Sequence, residues 1–488
     1  MKPRVLMISG DRSALLAESA VLKRLKSLAE HCALLTVMIC YRGPSCVQSY
    51  GSVQVIGVDM SNPITGFFRA LRIGKNHREP HVVATQDPFF FGIIGLFLAW
   101  HYGVPLQIQI HTDVFSKEYR TFSFSNRFRA FLARVTIPQA AGVRVVSERI
   151  ARSLEKRRLI PKDRVTILPL PVLRMVQGER EHPVFRGLAE RWSPTILMVT
   201  RLAPEKNVPL ALRAFSLFLA EHPHAGLLIV GEGPLQSTLR ALTERLGIAD
   251  HVIYAGQERD VAPYYAGADI FLSTSQYEGY GLALVEAAFA GLPIVSTDAG
   301  VARELGARIV NLNARSVAEA LSEPTPPASV PPGLTVCAED YAEHIAKQWE
   351  ELSQRGYTSQ RAVTFGLVAK YIISGGSATA ANLALLFVFT DFLRIWYVLS
   401  AALAYAGAFV VSFTLQKFWT FQNGALEKIH SQFAVYVGLG TFNMVLNAGL
   451  IYLIVESTGI HYLIAQIGIG ILIACWSFLF YRVLFANT

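Results

Sequence analysis

Charge is what the last quarter of this 488-residue chain lacks. Four apolar stretches, residues 366–390, 395–416, 431–455 and 460–481, hold a single charged side chain between them, Lys370. A bilayer core is crossed by about 20 apolar residues in a helix, so each stretch is long enough to span, and a water-exposed globular reading of this region is excluded. Cysteine is scarce as well. Cys32, Cys40, Cys46, Cys337 and Cys475 form no CxxC pair and no metal-ligand spacing. That excludes a zinc module and a disulfide framework and leaves reduced cytosolic thiols. A secretory signal is not expected. Residues 5–8 are a short apolar run between Lys2, Arg4 and the polar Ser9-Gly10-Asp11-Arg12, too short for an h-region and suited to a first strand. The net charge is +9, but no nucleic-acid-binding motif accompanies the basic residues, so no nucleic-acid partner is expected.

The apolar region is built twice. A shift of 65 residues carries Asn382 onto Asn447, Asp391 onto Glu456, Tyr397 onto Tyr462, Ser412-Phe413 onto Ser477-Phe478 and Lys417 onto Arg482. Two spans per repeat return the chain to its starting side, so the repeats are parallel about an axis along the membrane normal. Arg355, Arg361, Lys417, Lys428 and Arg482 flank one side, whereas the other has Arg394 with the acids Asp391 and Glu456. The positive-inside rule then gives a multi-pass, four-span protein of the cell membrane with both termini cytoplasmic. Lys417 and Arg482 read either as snorkelling anchors or as a lipid-phosphate site.

Before this region the pattern is α/β. Expected strands at 5–8, 34–39, 53–58, 82–84, 106–110, 142–146 and 165–167 alternate with helical segments, the first at 13–29. A second series has strands at 196–199, 227–230, 252–254, 270–272 and 293–296 and helices at 208–221, 235–246 and 282–290. Strands alternating with helices imply parallel sheets with covered faces. The expected organisation is a first Rossmann-like domain over 1–170, a hinge at 171–194, a second over 195–323, a Pro-rich linker and amphipathic helix over 324–360 leading towards the membrane, and a membrane domain over 361–488. Residues 89–100 are apolar but too short to span, and read as a buried helix rather than a membrane-dipping face. Between Lys117 and Arg158 basic residues interleave with Phe122, Phe124, Phe128 and Phe131, a composition suited to an anionic membrane surface.

Three loops fall at the carboxyl edge of the second sheet, where doubly wound folds bind ligands. Thr200-Arg201-Leu202-Ala203-Pro204-Glu205-Lys206 follows one strand and offers two cations. Val230-Gly231-Glu232-Gly233-Pro234 follows the next. Glu278-Gly279-Tyr280-Gly281 opens a helix that carries Glu286. Glycines before a helix N-terminus make a phosphate seat. Each loop alone also reads as an ordinary solvated loop; together, in this order, they point to a nucleotide.

These residues resemble the donor domain of the family 4 retaining glycosyltransferases of GT-B fold, whose R-x4-K, VGxGP and E-x7-E segments occur in the same order. Thr85-Gln86-Asp87-Pro88 and Ile108-Gln109-Ile110-His111-Thr112-Asp113 resemble that family's acceptor domain, although Ser9-Gly10-Asp11-Arg12 lacks the paired glycines common there. Residues 417–421 and 481–482 resemble the closing segments of GtrA-like membrane domains, which are associated with polyprenyl-linked sugars. The resemblance implies an α/β GT-B enzyme of two doubly wound Rossmann-like domains plus an all-α, four-helix transmembrane domain. Arg201 and Lys206 would hold the diphosphate of a nucleotide sugar, supported by Gly231, Gly233 and the Gly279, Tyr280 and Gly281 backbone. Glu278 would bind the donor sugar, Glu286 the ribose, and His111 would touch the sugar from the other domain. His111 also reads as a structural loop histidine. No Asp-x-Asp occurs, so a metal-independent transferase is expected, with no metal site and no cofactor beyond the nucleotide-sugar substrate. The expected function is transfer of a sugar to a polyprenyl-phosphate-type lipid. A translocator whose soluble part only senses nucleotide sugar is the alternative, and a homo-oligomer is left open.

Overall fold

Two parallel sheets, each assembled from buried apolar runs, form the N-terminal part of the protein. The structure, a computed structural model, describes residues 2–172, 192–354, 358–395, 397–423, 427, 429–458 and 462–485. It divides into two compact units, Met1–Arg355 and Gly356–Thr488. The expected hinge at 171–194 lies mostly outside the described residues, as do Arg355 and Lys428 of the topology argument.

The first sheet has strands β1 (Arg4–Ser9), β2 (Leu34–Tyr41), β3 (Cys46–Tyr50), β4 (Val53–Asp59), β5 (Val82–Thr85), β6 (Leu106–Ile110), β7 (Gly142–Val145) and β8 (Val165–Ile167). Their order is β3-β4-β2-β1-β5-β6-β7-β8, parallel except for β3. The second sheet has β9 (Thr195–Val199), β10 (Gly226–Val230), β11 (Val252–Gly256), β12 (Ile270–Ser273), β13 (Ile294–Thr297) and β14 (Arg308–Val310), in the order β11-β10-β9-β12-β13-β14. Central strands such as β1 and β10 are buried almost throughout, because helices cover both faces.

Three differences from the sequence reading have local causes. Strand β3 pairs antiparallel at an edge with alternating half-buried and exposed residues, so it lacks the continuous apolar run that marks its neighbours. The helix expected over 13–29 begins at Ala20. Ser19 accepts from Leu22 N and caps it there, and a short 3-10 turn, Arg12–Leu15, precedes it. The helix Ala338–Gln354 packs back across the first domain. Its Tyr341, Ile345, Trp349 and Leu352 are buried with residues of β1, β2 and β4. Trp349 donates through Nε1 to Gln107 Oε1 on β6 at 2.7 Å, and Gln348 donates to Thr166 Oγ1 at 2.5 Å.

The apolar segment at 89–100 is the helix Phe90–Tyr102, with Ile94, Leu98 and Ala99 buried on the first sheet. At Gly95 a Cβ would approach Thr85 Cγ2 at 2.3 Å, so glycine permits this close packing. The basic run from 117 to 158 serves the interior in part. Arg144 on β7 is fully buried, donates to Leu168 O at 3.0 and 2.6 Å, and lies 5.1 Å from the Tyr341 ring.

The C-terminal unit contains helices Thr358–Phe387, Tyr397–Thr414, Ile429–Thr458 and Tyr462–Leu484. Segments Lys370–Phe392 and Ile429–Ile454 are long and apolar enough to cross a membrane by length and composition, and Gly468–Arg482 is a shorter apolar stretch. The repeated serines both bond into the third helix. Ser412 Oγ meets Tyr436 OH at 2.7 Å, and Ser477 Oγ accepts from Asn443 Nδ2 at 2.8 Å.

Trp349 fills space between the strap helix and the sheet and closes a buried hydrogen bond. Trp349→Ala should destabilise the N-terminal unit by about 3–5 kcal/mol, the range for large-to-small core truncation. Thermal unfolding of the full-length protein in detergent, followed by circular dichroism, checks it; an unchanged midpoint would show that the strap adds nothing to the first domain.

Candidate functional site

A cleft of about 530 Å³ opens at the carboxyl ends of β9 and β12. His111, Thr112 and Leu170 line it from the first domain; Thr200, Arg201, Lys206, Ser275, Glu278, Gly279, Tyr280, Gly281 and Glu286 line it from the second.

Glycines let the loops close-pack around it. The turn after β10 lies directly on the loop after β9. A Cβ at Gly231 would sit 2.1 Å from Thr200 O, and one at Gly233 would sit 2.4 Å from Leu202 O. Thr200 N donates to Val230 O and Leu202 N to Glu232 O, each at 2.9 Å. Gly231 and Gly233 therefore shape the site from behind, and neither lines the cleft. The short turn Pro204–Lys206 is held against the loop after β12, because Thr274 Oγ1 donates to Lys206 O and Asn207 O at 3.1 Å.

That arrangement aims Lys206 at Glu278. Lys206 Nζ donates to Glu278 Oε1, which also accepts from Ser275 Oγ at 2.9 Å. Arg201 is more exposed and pairs with Glu205 one turn on. Both expected cations thus already face carboxylates, and an incoming anion would compete with those acids for them. Beyond Glu278, Gly281 adopts a φ of +84° and caps the helix Leu282–Phe289. Tyr280 contributes backbone only: its ring is buried and its hydroxyl donates to Leu334 O. Glu286, half-buried on the helix, accepts from Tyr265 OH at 2.7 Å. Burial raises the Glu286 pKa, and the Tyr265 hydrogen bond partly offsets that.

The other wall comes very near. A Cβ on Gly279 would lie 1.4 Å from His111 O. Ser147 Oγ donates to Gly279 O at 3.2 Å, and Arg149 donates to Asp298 at 2.9 Å, so the domains also bond across the seam. Burial pushes the His111 pKa down to about 3, reinforced by the positive charges of Arg144 and Arg24. A His depressed from 6.5 is neutral in the folded protein at physiological pH; it favours the folded state above 6.5, and that contribution is lost as pH falls from 6.5 towards 3. His111 can therefore offer hydrogen bonds to a ligand but no resident positive charge.

The structure brings Arg201, Lys206, Glu278, Gly279, Gly281, Glu286 and His111 to one cleft. Lys417 and Arg482 belong to the C-terminal unit. Lys417 is fully buried and donates to Asn423 Oδ1 at 3.0 Å and Gln432 Oε1 at 2.6 Å. These amides in turn donate to Phe485 O and Leu484 O, so the cage is tied to the last turn of the helix that carries Arg482. Sequence reasoning missed Ser275, Ser147 and Tyr265, which are common residue types outside any glycine-rich motif.

Among solved structures, sucrose-phosphate synthase from Thermosynechococcus elongatus superposes with a TM-score of 0.53 at 15% identity, covering 76% of this chain and 99% of that one. Residues 39–171 match the family model for the glycosyl transferase 4-like domain, residues 185–311 that for glycosyl transferases group 1, and residues 370–485 that for the GtrA/DPMS transmembrane domain. The N-terminal unit thus has the GT-B fold and matches two glycosyl transferase family models, and the C-terminal region matches a transmembrane-domain model. Alpha-monoglucosyldiacylglycerol synthase of Streptococcus pneumoniae is 26% identical over 241 residues, 47% of this chain and 54% of its own length. The GDP-mannose-dependent alpha-(1-6)-phosphatidylinositol monomannoside mannosyltransferase of Mycobacterium tuberculosis is 33% identical over 126 residues, 24% of this chain and 32% of its own. The chain thus spans about half, or less, of the length of these relatives.

At Gly279, where the domains meet, a side chain would overlap the His111 carbonyl. Gly279→Ala should force the His111 loop away and lower turnover at least tenfold, about 1.4 kcal/mol in kcat/KM. Steady-state kinetics beside a thermal melt check this; wild-type kinetics would show that the seam has slack.

Proposed function

We propose that this protein is a membrane-attached, retaining, metal-independent glycosyltransferase that moves a sugar from a nucleotide-diphosphate sugar to a polyprenyl-linked lipid at the cytoplasmic face. The observation that carries this reading is the convergence of Lys206, Glu278 and Glu286 in one cleft at the carboxyl edge of a parallel sheet. In this reading the diphosphate exchanges places with Glu278 on Lys206, and Arg201 leaves Glu205 to join it. Glu278, released, accepts from sugar hydroxyls, with Ser275 keeping it in place. Glu286 accepts from the ribose. As the bond from the anomeric carbon to the diphosphate breaks, Lys206 and Arg201 neutralise the charge that develops on the leaving oxygen. The acceptor oxygen attacks from the same face, and any proton it carries passes to the departing diphosphate oxygen, which retains configuration without a protein nucleophile. His111, neutral, donates or accepts one hydrogen bond from the opposite wall.

Relatives named for a glucosylated diacylglycerol and a phosphatidylinositol mannoside support a lipid acceptor. The four helices of the C-terminal unit serve as four spans that hold or translocate the lipid product. Lys417 and Arg482, at the same end of the unit, receive its phosphate. Sharing one chain raises the effective concentration of that lipid at the enzyme.

Two tests follow. Lys206→Ala should lower kcat/KM at least tenfold, about 1.4 kcal/mol, with folding intact, and unchanged turnover would remove Lys206 from the donor site. If the wild-type protein binds nucleotide sugar yet turns none over with polyprenyl phosphate, the sensing translocator is the better reading. Separately, Lys417→Gln with Arg482→Gln should weaken activity on polyprenyl phosphate while sparing a short water-soluble acceptor analogue. Equal loss on both acceptors would signify misfolding of the unit, and no loss on either would remove the pair from the lipid site.

A further inference from the structure

Tyr265 stands one layer behind the cleft. It lies on the short helix Ala262–Gly267, fully buried, with its ring 5.7 Å from that of Phe271 on β12. It does not line the cleft. Its hydroxyl reaches two acceptors on the helix Leu282–Phe289: Glu286 Oε2 at 2.7 Å and Ala283 O at 3.3 Å. Among the described residues Glu286 Oε1 accepts no hydrogen bond, and Glu286 lines the cleft.

The terminal torsion of a glutamate is soft, so a carboxylate in an open cleft samples many orientations. One hydrogen bond from a hydroxyl fixed by a packed ring removes that freedom. It also occupies one oxygen on the protein side and leaves the other for a ligand. The same bond favours the ionised carboxylate, which partly buried surroundings otherwise disfavour. An ionised carboxylate held still is the acceptor that a vicinal diol needs.

We infer that Tyr265 is the positioning residue for ribose recognition: it orients Glu286 so that the nucleotide's 2′- and 3′-hydroxyls find a preset acceptor. This rests on the assignment of Glu286 to the ribose. Tyr265 touches no substrate and acts only through Glu286.

The test is calorimetric titration of the full-length protein in detergent with UDP, GDP and ADP, and with the 2′,3′-dideoxy form of whichever binds tightest. The wild-type protein should prefer the ribonucleotide by at least tenfold. Tyr265→Phe keeps the ring and its packing, so the melting temperature should hold. It should weaken the ribonucleotide by roughly three- to tenfold, the size of one ordinary net hydrogen bond, because the lost bond acts on the ligand only through Glu286, and leave the dideoxy form within about twofold. In a Glu286→Ala background Tyr265→Phe should have no further effect. Equal weakening of both nucleotide forms would make Tyr265 a general structural residue and overturn the inference. So would a preserved ribose preference in Tyr265→Phe, which would leave the Glu286 assignment standing. A wild-type protein that binds both forms equally would instead overturn the ribose assignment, and the inference with it.

Discussion

The cleft exists because two backbones touch. Gly279 lies against the carbonyl of His111, closer than any side chain at that position would allow. Everything proposed for the site depends on that approach. Lys206, Glu278 and Glu286 belong to loops and a helix of the second domain, His111 and Thr112 follow a strand of the first, and only the seam places them around one volume. The bonds beside it, Ser147 to Gly279 and Arg149 to Asp298, are individually modest. Their value is in fixing which part of one domain faces which part of the other.

How far the fold and site could be read from sequence followed from what each residue does locally. Central strands of a parallel sheet are buried on both faces, so β1, β2, β9 and β10 announce themselves as apolar runs. The edge strand β3 does not, because one side of it faces water. Glycine-rich loops were legible for a similar reason: Gly231, Gly233, Gly279 and Gly281 are required by close approach or by a left-handed backbone, and such requirements leave few alternatives. Tyr265 was not legible. A tyrosine in a short apolar helix looks like core, and its importance depends on a glutamate 21 residues away. Tyr280 shows the opposite case. It sits inside the motif, yet its ring is buried with its hydroxyl on Leu334, and only its backbone belongs to the cleft.

The C-terminal unit shows how a duplicated sequence diverges in structure. The paired serines keep parallel roles, each bonding to the third helix. The paired cations do not. Lys417 is enclosed by Asn423 and Gln432 in a π-helical turn, Leu415–Thr420, while Arg482 lies half-buried on a regular helix. An extra residue in a helical turn displaces the side chains around it, and such turns are frequent at functional positions. Asn423 follows that turn, and the position 65 residues further on is Thr488 rather than an amide. The repeat therefore supplies two cations at one end of the unit in two different settings, one enclosed and one nearer the surface.

The helix Ala338–Gln354 follows the second domain in sequence but packs on the first, as a strap. The chain finishes the second domain, crosses back, and seals itself onto the first with Trp349 and Gln348 before it continues to the C-terminal unit. The chain thus leaves this unit from the first domain, not from the second. In mechanical terms the first domain is the anvil and the second the arm. Any widening of the cleft then moves the second domain against a first domain that carries the strap with it.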